Sequence, residues 1–471
     1  MGKKVHFLGI GGSGASAAAA IAQAQGYEVT GCDLEPHNEF TTHFKNSQLS
    51  KGHNPDHLYC HPERSEGYKL YSSPSVQNDK FVDILAVTPA IFSLDPNNPE
   101  LLAAKEKGIP VLTWQQFVGE HLAKNKFVIA ICGTHGKTTT TAMIAQILED
   151  AKLDPTVLLG AIHPKWKANY RVPSHRHPER SEGSHDYFII EADEFNDNFL
   201  HLKPDITVVT NIEMDHPEYF KDFEAYKESF RKFLQSTKQT IIVNLSDPEV
   251  SDVIASVAKQ SKREIATSPS APRNDKMIDY SKHLIDFPLQ IPGDFNAMNA
   301  SAAYQMGLVL GIKPQTIQKS LATYPGIGRR FEYIGKFHGA EVYSDFGHHP
   351  TEIKVTMEAA REKFPNQRIL LVYQPHMFSR TKTLFYDFVK VFKNLPIDQI
   401  IITDIYPSRE VDTGTVSSQQ LVETIHSNTS MYHSKKDLKA FLKNEVKKDD
   451  ILFFMGAGDI DKMAREFTQT N

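Results

Sequence analysis

The stretch Phe127-Val-Ile-Ala-Ile-Cys-Gly-Thr-His-Gly-Lys-Thr-Thr139 decides how this chain folds. Its apolar first half is short and rich in β-branched residues, the pattern of a buried strand. A turn bracketed by Gly133 and Gly136 follows, and then Thr140 to Leu148, where Met143, Ile144, Ile147 and Leu148 recur at helical spacing. Strand, glycine turn and helix together aim backbone N–H groups and a helix N-terminus at anionic oxygens. Gly133, Thr134, His135, Gly136, Lys137, Thr138 and Thr139 therefore form a candidate triphosphate cradle. In it Lys137 is placed to bridge the β- and γ-phosphates and Thr138 to offer a hydroxyl to Mg²⁺. The common phosphate loop has four residues between its first Gly and the Gly-Lys pair; here Gly133 and Gly136 enclose two.

On the N-terminal side, Lys4-Val-His-Phe-Leu-Gly-Ile-Gly-Gly-Ser-Gly14 reads as a strand entering a glycine-rich turn, followed by an Ala-rich helix over Ala15 to Ala24. A second strand, Glu28 to Asp33, ends on an acid. Gly9, Gly11, Gly12, Ser13 and Gly14 let the backbone approach a diphosphate, with Asp33 placed to meet a ribose. Short strands at Phe81 to Val87 and Pro110 to Leu112, alternating with a helix at Glu100 to Lys107, make residues 1–122 one α/β unit. Apolar runs at Tyr187 to Glu191, Ile206 to Asn211 and Thr240 to Asn244, with a helix at Phe223 to Gln235, extend the phosphate-loop unit over 123–331. A third alternation fills 332–471: strands Glu341 to Asp345, Arg368 to Tyr373, Gln399 to Asp404 and Ile451 to Met455, and helices Thr351 to Lys363 and Thr381 to Lys393. The expected fold class is thus α/β in three domains. They are a Rossmann-like first domain, a central ATPase-like domain with a mostly parallel sheet, and a Rossmann-like third domain.

A chain of 471 residues has room for about three such cores. A formal charge of −5 gives no basic surface for nucleic acid. No apolar run reaches the roughly 20 residues of a membrane span, and the chain enters its first strand with no signal peptide, so a cytoplasmic protein is expected. Three scattered cysteines, Cys32, Cys60 and Cys132, suggest neither a disulfide framework nor a zinc cluster. His61-Pro-Glu-Arg-Ser-Glu-Gly67 recurs letter for letter at His177 to Gly183. Both copies, and Ser256 to Asp275, read as inserted surface loops with no part in chemistry.

Glu191-Ala-Asp-Glu194 ends one strand of the phosphate-loop unit, and His216 follows another in Thr210-Asn-Ile-Glu-Met-Asp-His216. Acids at the rim of such a sheet suit a Mg²⁺-triphosphate site, because Mg²⁺ takes oxygen ligands and shares them with phosphates.

These motifs resemble those of the Mur ligases, ATP-dependent enzymes that add amino acids to the nucleotide-linked precursor of peptidoglycan. The resemblance runs nearly end to end, through the segments above and Asn296-Ala-Met-Asn299, Gly328-Arg-Arg-Phe-Glu332, Asp345-Phe-Gly-His-His-Pro350 and Gln374-Pro-His-Met-Phe-Ser-Arg-Thr381. Phe199-Leu-His-Leu202, Ile405-Tyr-Pro-Ser-Arg-Glu410 and Gly456-Ala-Gly-Asp-Ile460 look most like the branch that joins L-alanine to the lactyl carboxylate of UDP-N-acetylmuramate. The resemblance implies UDP-sugar on the first domain, ATP on the second and L-alanine on the third, with Mg²⁺ required. It implies Lys137 on the ATP phosphates, Thr138 on one Mg²⁺, and Glu191 with His216 on another. Asn296 and Asn299 would face adenine, and Arg330 would reach the γ-phosphate. Arg380, with His348 and His376, would orient the amino-acid carboxylate. Two positions depart from the branch, with Phe295 where it carries His and Met377 where it carries Arg. Other branches carry a carbamylated lysine past the His; at Ser229-Phe-Arg-Lys232 none is assigned.

Three other readings stay open. A ligase that reattaches a recycled tripeptide to the same sugar is disfavoured by Gln374-Pro-His and Tyr406-Pro-Ser-Arg. An NAD-dependent dehydrogenase would leave the phosphate loop and the acid cluster without a use. A degenerate paralogue would bind nucleotide without turnover. The oligomeric state is not legible.

Overall fold

A computed structural model describes residues 2–59, 81–174, 185–267, 276–408 and 410–469. Both His-Pro-Glu-Arg-Ser-Glu-Gly copies, and Cys60, lie outside the described residues. Three α/β sheets follow one another along the chain, as the alternating patterns predict.

The first sheet is wholly parallel, in the order Leu49–Lys51, Glu28–Asp33, Lys4–Leu8, Ile84–Val87, Val111–Thr113. The Ala-rich helix, Ser13–Ala24, is buried from Ala15 to Ala22. It lies against the strands Thr156–His163 and Ala168–Arg171 of the second sheet, and small side chains let its backbone approach on both sides. Asn169 seals that contact by donating its amide to the Ser13 carbonyl.

The second sheet has seven strands, in the order Lys276–Asp279, Thr240–Val243, Ile206–Val209, Phe127–Cys132, Tyr187–Glu191, Thr156–His163, Ala168–Arg171. Only the last runs antiparallel. Phe127–Cys132 is buried throughout and central, with strands added on both sides. The phosphate loop at its C-terminal end thus occupies the point where strand order reverses, the usual ligand crevice of such sheets. The hairpin Thr156–His163 and Ala168–Arg171 is absent from the sequence reading, because Gly160 and the polar residues after it break the apolar run.

The third sheet runs Glu332–Phe337, Ala340–Asp345, Ile451–Met455, Ile369–Tyr373, Gln399–Ile402, Ser430–Tyr432, antiparallel only at Glu332–Phe337. The helix expected over Thr381 to Lys393 is two, Phe378–Thr383 and Phe385–Asn394, which meet at Leu384. The loop expected from Ser256 is in part a continuation of the helix Pro248–Thr267. Val250, Val253, Ile254 and Val257 give that helix a buried apolar face. Among the described residues no helix is long and apolar enough to cross a membrane.

Gly133 has φ +129°, and a Cβ there would lie 2.1 Å from Thr210 Oγ1 and 2.9 Å from the Asn211 carbonyl. Gly133→Ala should therefore cost about 2 kcal/mol or more, combining backbone strain and overpacking. A denaturant midpoint lowered at unchanged slope is the expected outcome. An unchanged midpoint would mean that the loop relaxes freely.

Candidate active site

The phosphate loop is shaped by the segment that follows the neighbouring strand. Thr210 Oγ1 donates to the His135 carbonyl (2.6 Å) and the Asn211 side-chain amide does so at 3.0 Å. The His135 N–H returns a bond to Asn211 Oδ1 (2.8 Å), and the Thr134 N–H donates to the Asn211 carbonyl (3.0 Å). Thr134 Oγ1 donates to the Glu213 carbonyl and lies 3.0 Å from the hydroxyl of the buried Tyr226.

Two acids at the end of Tyr187–Glu191 and just past it hold the next two loop residues. Lys137 Nζ donates to both oxygens of Glu194 (2.9 and 3.0 Å) and to the Gly133 carbonyl (2.6 Å). Glu194 is fully buried and also accepts the Tyr226 hydroxyl. Burial works against the charge on Lys137, but Glu194, Asp193 and Glu191 outweigh it and hold its pKa above the lysine norm. Thr138 Oγ1 lies 2.9 Å from each oxygen of Glu191, and the Gly160 N–H reaches one of them at 2.9 Å.

Thr138 and Glu191 share one place, and His216, beside the acids of its own loop, also feels the charges of Glu194 and Asp193. It stands 3.3 Å from Glu218 and 3.7 Å from Asp215, with its ring against Phe195. A hydroxyl and a carboxylate converging on one point, with Asp193 lining the same cavity, form an oxygen set suited to a hard divalent cation.

Two cavities meet at this point. One, about 430 Å³, lies between the loop, the start of the helix Asp294–Val309 and the third domain. Asn296 and Asn299 line it, and Asn299 Oδ1 packs so closely on Gly136 that a Cβ there would lie 2.4 Å away. Asn299 thus abuts the phosphate turn, while Asn296 donates to the Pro292 carbonyl. Phe295 packs toward Ala359 of the third domain and joins that domain's core. The other cavity, about 980 Å³, reaches from Lys137, Glu191 and Asp193 to Ser13 and Gly14 of the first glycine turn. Thr138 and Arg330 line both cavities. The Arg330 guanidinium lies over the Phe346 ring (4.7 Å) and makes no hydrogen bond or ion pair with a described side chain, while its backbone N–H donates to the Ile327 carbonyl (3.2 Å). Its neighbours Arg329 and Phe331 have φ of 57° and 49°, a strained pair that fixes its direction.

In the first domain the Asp33 carboxylate accepts two backbone N–H groups. Its Oδ2 accepts the Gly11 N–H (2.9 Å) and its Oδ1 the Glu35 N–H (3.2 Å), so it braces the turn formed by Gly9, Gly11 and Gly12.

The residues expected to orient an amino acid line neither cavity. Arg380 is buried and donates twice to Asp215 Oδ1 (2.8 and 3.1 Å), which fastens the third domain to the second. Its third nitrogen lies 3.1 Å from His376 Nδ1, and His376 stacks on Tyr406. Burial and the Arg380 charge lower His348 to a pKa of about 4, so it is neutral at pH 7. Met377 is buried beneath Arg380 at φ +70°.

Sequence reasoning missed the partners. Glu194 and Asp215 stand in quoted motifs with no role assigned, and the Tyr226 hydroxyl is hidden in an apolar helix face. Glu213 and Glu352 meet across the domain boundary at His135, at 3.0 and 3.3 Å. Only Glu352, the acid three residues after His349 in a capping box, carried a local signal.

Fold and site together define a three-domain α/β protein with a nucleotide-phosphate loop at a domain junction. Residues 4–126 match the Mur ligase family catalytic domain, 131–307 the Mur ligase middle domain, and 329–458 the Mur ligase glutamate ligase domain. The chain is 36% identical to the UDP-N-acetylmuramate--L-alanine ligase of Clostridium novyi (strain NT), over 99% of this chain and 97% of that protein. To the enzyme of the same name from Aquifex aeolicus (strain VF5) it is 34% identical, over 99% and 97%. A crystal structure of a UDP-N-acetylmuramate-alanine ligase from Thermotoga maritima superposes with a TM-score of 0.73 at 23% identity, covering 99% of this chain and 98% of that one. The chain belongs to the Mur ligase family.

Burial opposes protonation of His135, but the hydrogen bonds it donates to Glu213 and Glu352 raise its pKa to about 9. A raised pKa stabilises fully below the unfolded value near 6.5, and that contribution is lost as pH rises through about 9. Between pH 7 and 10 the melting temperature should fall by about 2–4 °C more in the wild type than in His135→Gln. Parallel curves would show that the bridge carries no linkage.

Proposed function

We propose that this chain is an ATP-dependent ligase that joins L-alanine to the lactyl carboxylate of UDP-N-acetylmuramate through an acyl phosphate, in peptidoglycan precursor synthesis. In this reading residues 1–122 hold the UDP-sugar, 123–331 hold ATP and 332–471 receive the amino acid. The observation that carries it is the pair of cavities sharing Thr138 and Arg330. One suits a nucleotide lying on the phosphate loop. The other leads to the glycine turn of the first domain and suits the sugar. The named enzymes from Clostridium novyi and Aquifex aeolicus, similar along nearly their whole length, support the same substrates.

A carboxylate does not react with an amine at neutral pH, because its leaving group would be an oxide. In the proposed reaction the lactyl carboxylate oxygen attacks the γ-phosphorus at the junction of the cavities, and ADP leaves. The amine of L-alanine then attacks the acyl carbon, and phosphate leaves with the electron pair. Several anionic groups must crowd together, so catalysis is mostly neutralisation of charge and positioning. Lys137 exchanges Glu194 for the β- and γ-phosphates, and Arg330 covers the γ-phosphate from the third-domain side. Thr138 and Glu191 would hold Mg²⁺, which supplies further neutralisation of phosphate charge. His348, neutral at pH 7, can accept a hydrogen bond from the incoming ammonium, which gives up one proton to solvent before it attacks as the amine, and Arg380 would exchange Asp215 for the carboxylate with His376 beside it.

Phosphate release from ATP should require both UDP-N-acetylmuramate and L-alanine; release without either substrate would contradict the proposal. Lys137→Ala should abolish turnover while UDP-sugar binding persists, and Arg330→Ala should cost about 100-fold in rate or more. Loss of UDP-sugar binding in a folded Lys137→Ala protein would refute the domain assignment. Glycine and L-serine should compete, since a small apolar pocket separates such side chains by only about 1–3 kcal/mol.

A further inference from the structure

Away from the junction, four metal-ligating side chains converge inside the first domain. His6 comes from Lys4–Leu8, Cys32 from Glu28–Asp33, His57 from the short helix Pro55–Leu58, and Glu100 from the helix Pro99–Glu106. One ligand atom from each lies within 4.8 Å of all the others. Glu100 Oε1 is 2.8 Å from His57 Nδ1 and 3.1 Å from Cys32 Sγ, and Glu100 Oε2 is 3.3 Å from His6 Nε2. The edge of a tetrahedron with arms of ~2.1 Å is roughly 3.4 Å, so these separations need little adjustment around one ion. His6, Cys32 and Glu100 are buried at 1% exposure or less.

A second observation points to a ligand. His6 Nε2 is buried and faces the cluster, and its one polar neighbour there is Glu100 Oε2 at 3.3 Å, which it meets off the line of a good hydrogen bond. Its other nitrogen, Nδ1, lies 2.8 Å from Thr30 Oγ1, which fixes the ring with Nε2 turned inward. An outer partner that fixes the ring in this way is what metal-ligating histidines ordinarily have. Glu100 is steadied likewise by the Asn54 N–H, at 2.8 Å. His53 Nδ1 stands 3.4 Å from Cys32 Sγ.

We propose that His6, Cys32, His57 and Glu100 form a closed, four-ligand site for Zn²⁺ inside the first domain. One thiolate, two imidazoles and one carboxylate match the ligand types of a borderline-soft ion and leave no open position, so the site is structural. The Cys32 S–H now donates to Glu100; on binding, its proton passes to solvent and the sulfur bonds the metal, while Glu100 stays ionised. The ion would tie two strands and two helices together beneath the glycine turn, because the Cys32 carbonyl accepts the N–H groups of Gly9 and Ile10.

The test uses the full chain freed of metal by a chelator, with Co²⁺ as spectroscopic probe and Zn²⁺ as competitor. The proposal expects one Co²⁺ per chain with tetrahedral d–d bands and a sulfur-to-cobalt charge-transfer band, displaced by Zn²⁺, and a melting temperature raised by Zn²⁺. Cys32→Ser should lose the charge-transfer band, and His57→Gln, a change at the most exposed ligand, should weaken Zn²⁺ about tenfold or more. Melting curves of the metal-free variants establish that each is folded. No uptake by the wild type, a spectrum without the sulfur band, or Zn²⁺ affinity unchanged in folded His57→Gln would each overturn the proposal.

Discussion

The structure turns on the grip of two carboxylates on two adjacent residues. Glu191 holds the Thr138 hydroxyl and Glu194 holds the Lys137 ammonium, at the mouth of the crevice where the second sheet changes direction. A glycine turn alone could not keep a lysine and a threonine hydroxyl in register. The two acids, placed by Tyr187–Glu191 and the turn after it, give the loop its direction and its charge balance. Glu194 is buried and Glu191 faces a cavity, so the neighbouring acids differ in what they can do. The buried one tunes the lysine, and the other is open to a cation.

Around that grip the three domains meet through features set by size and charge. The alanines of Ser13–Ala24 bring the first domain onto the second sheet without large side chains between them. His135 between Glu213 and Glu352 ties the third domain to the phosphate loop itself, and Arg380 on Asp215 ties it to the segment that braces the loop. A loop wired in this way to another domain links nucleotide contacts to domain position. That is how a site assembled from separate domains keeps its parts in step.

The phosphate loop, the glycine turn of the first domain and the three successive sheets were legible in the sequence, because local period and turn chemistry dictate them. The hairpin at Thr156–His163 was not, since Gly160 breaks its pattern, yet that residue's N–H braces Glu191. Pairings between domains were equally hidden. No spacing rule brings Glu352 to His135, or Asp215 to Arg380 across 165 positions. Asp33 and Arg380 were read as groups turned toward ligands; their partners in the fold, the Gly11 and Glu35 N–H groups for the first and the buried Asp215 for the second, carried no signal in the sequence. The four ligands around Glu100 escaped for the same reason: they are scattered along the chain and only the parallel sheet brings them together.

The central claim is that Lys137 and Thr138 receive the terminal phosphates of ATP at the meeting point of the two cavities. The most direct measurement is a crystal structure with Mg²⁺ and a non-hydrolysable ATP analogue. The account predicts Lys137 Nζ on the β- and γ-phosphates, the cation at Thr138 and Glu191, and the base in the cavity lined by Asn296. A nucleotide bound elsewhere, with Lys137 still on Glu194, would contradict it.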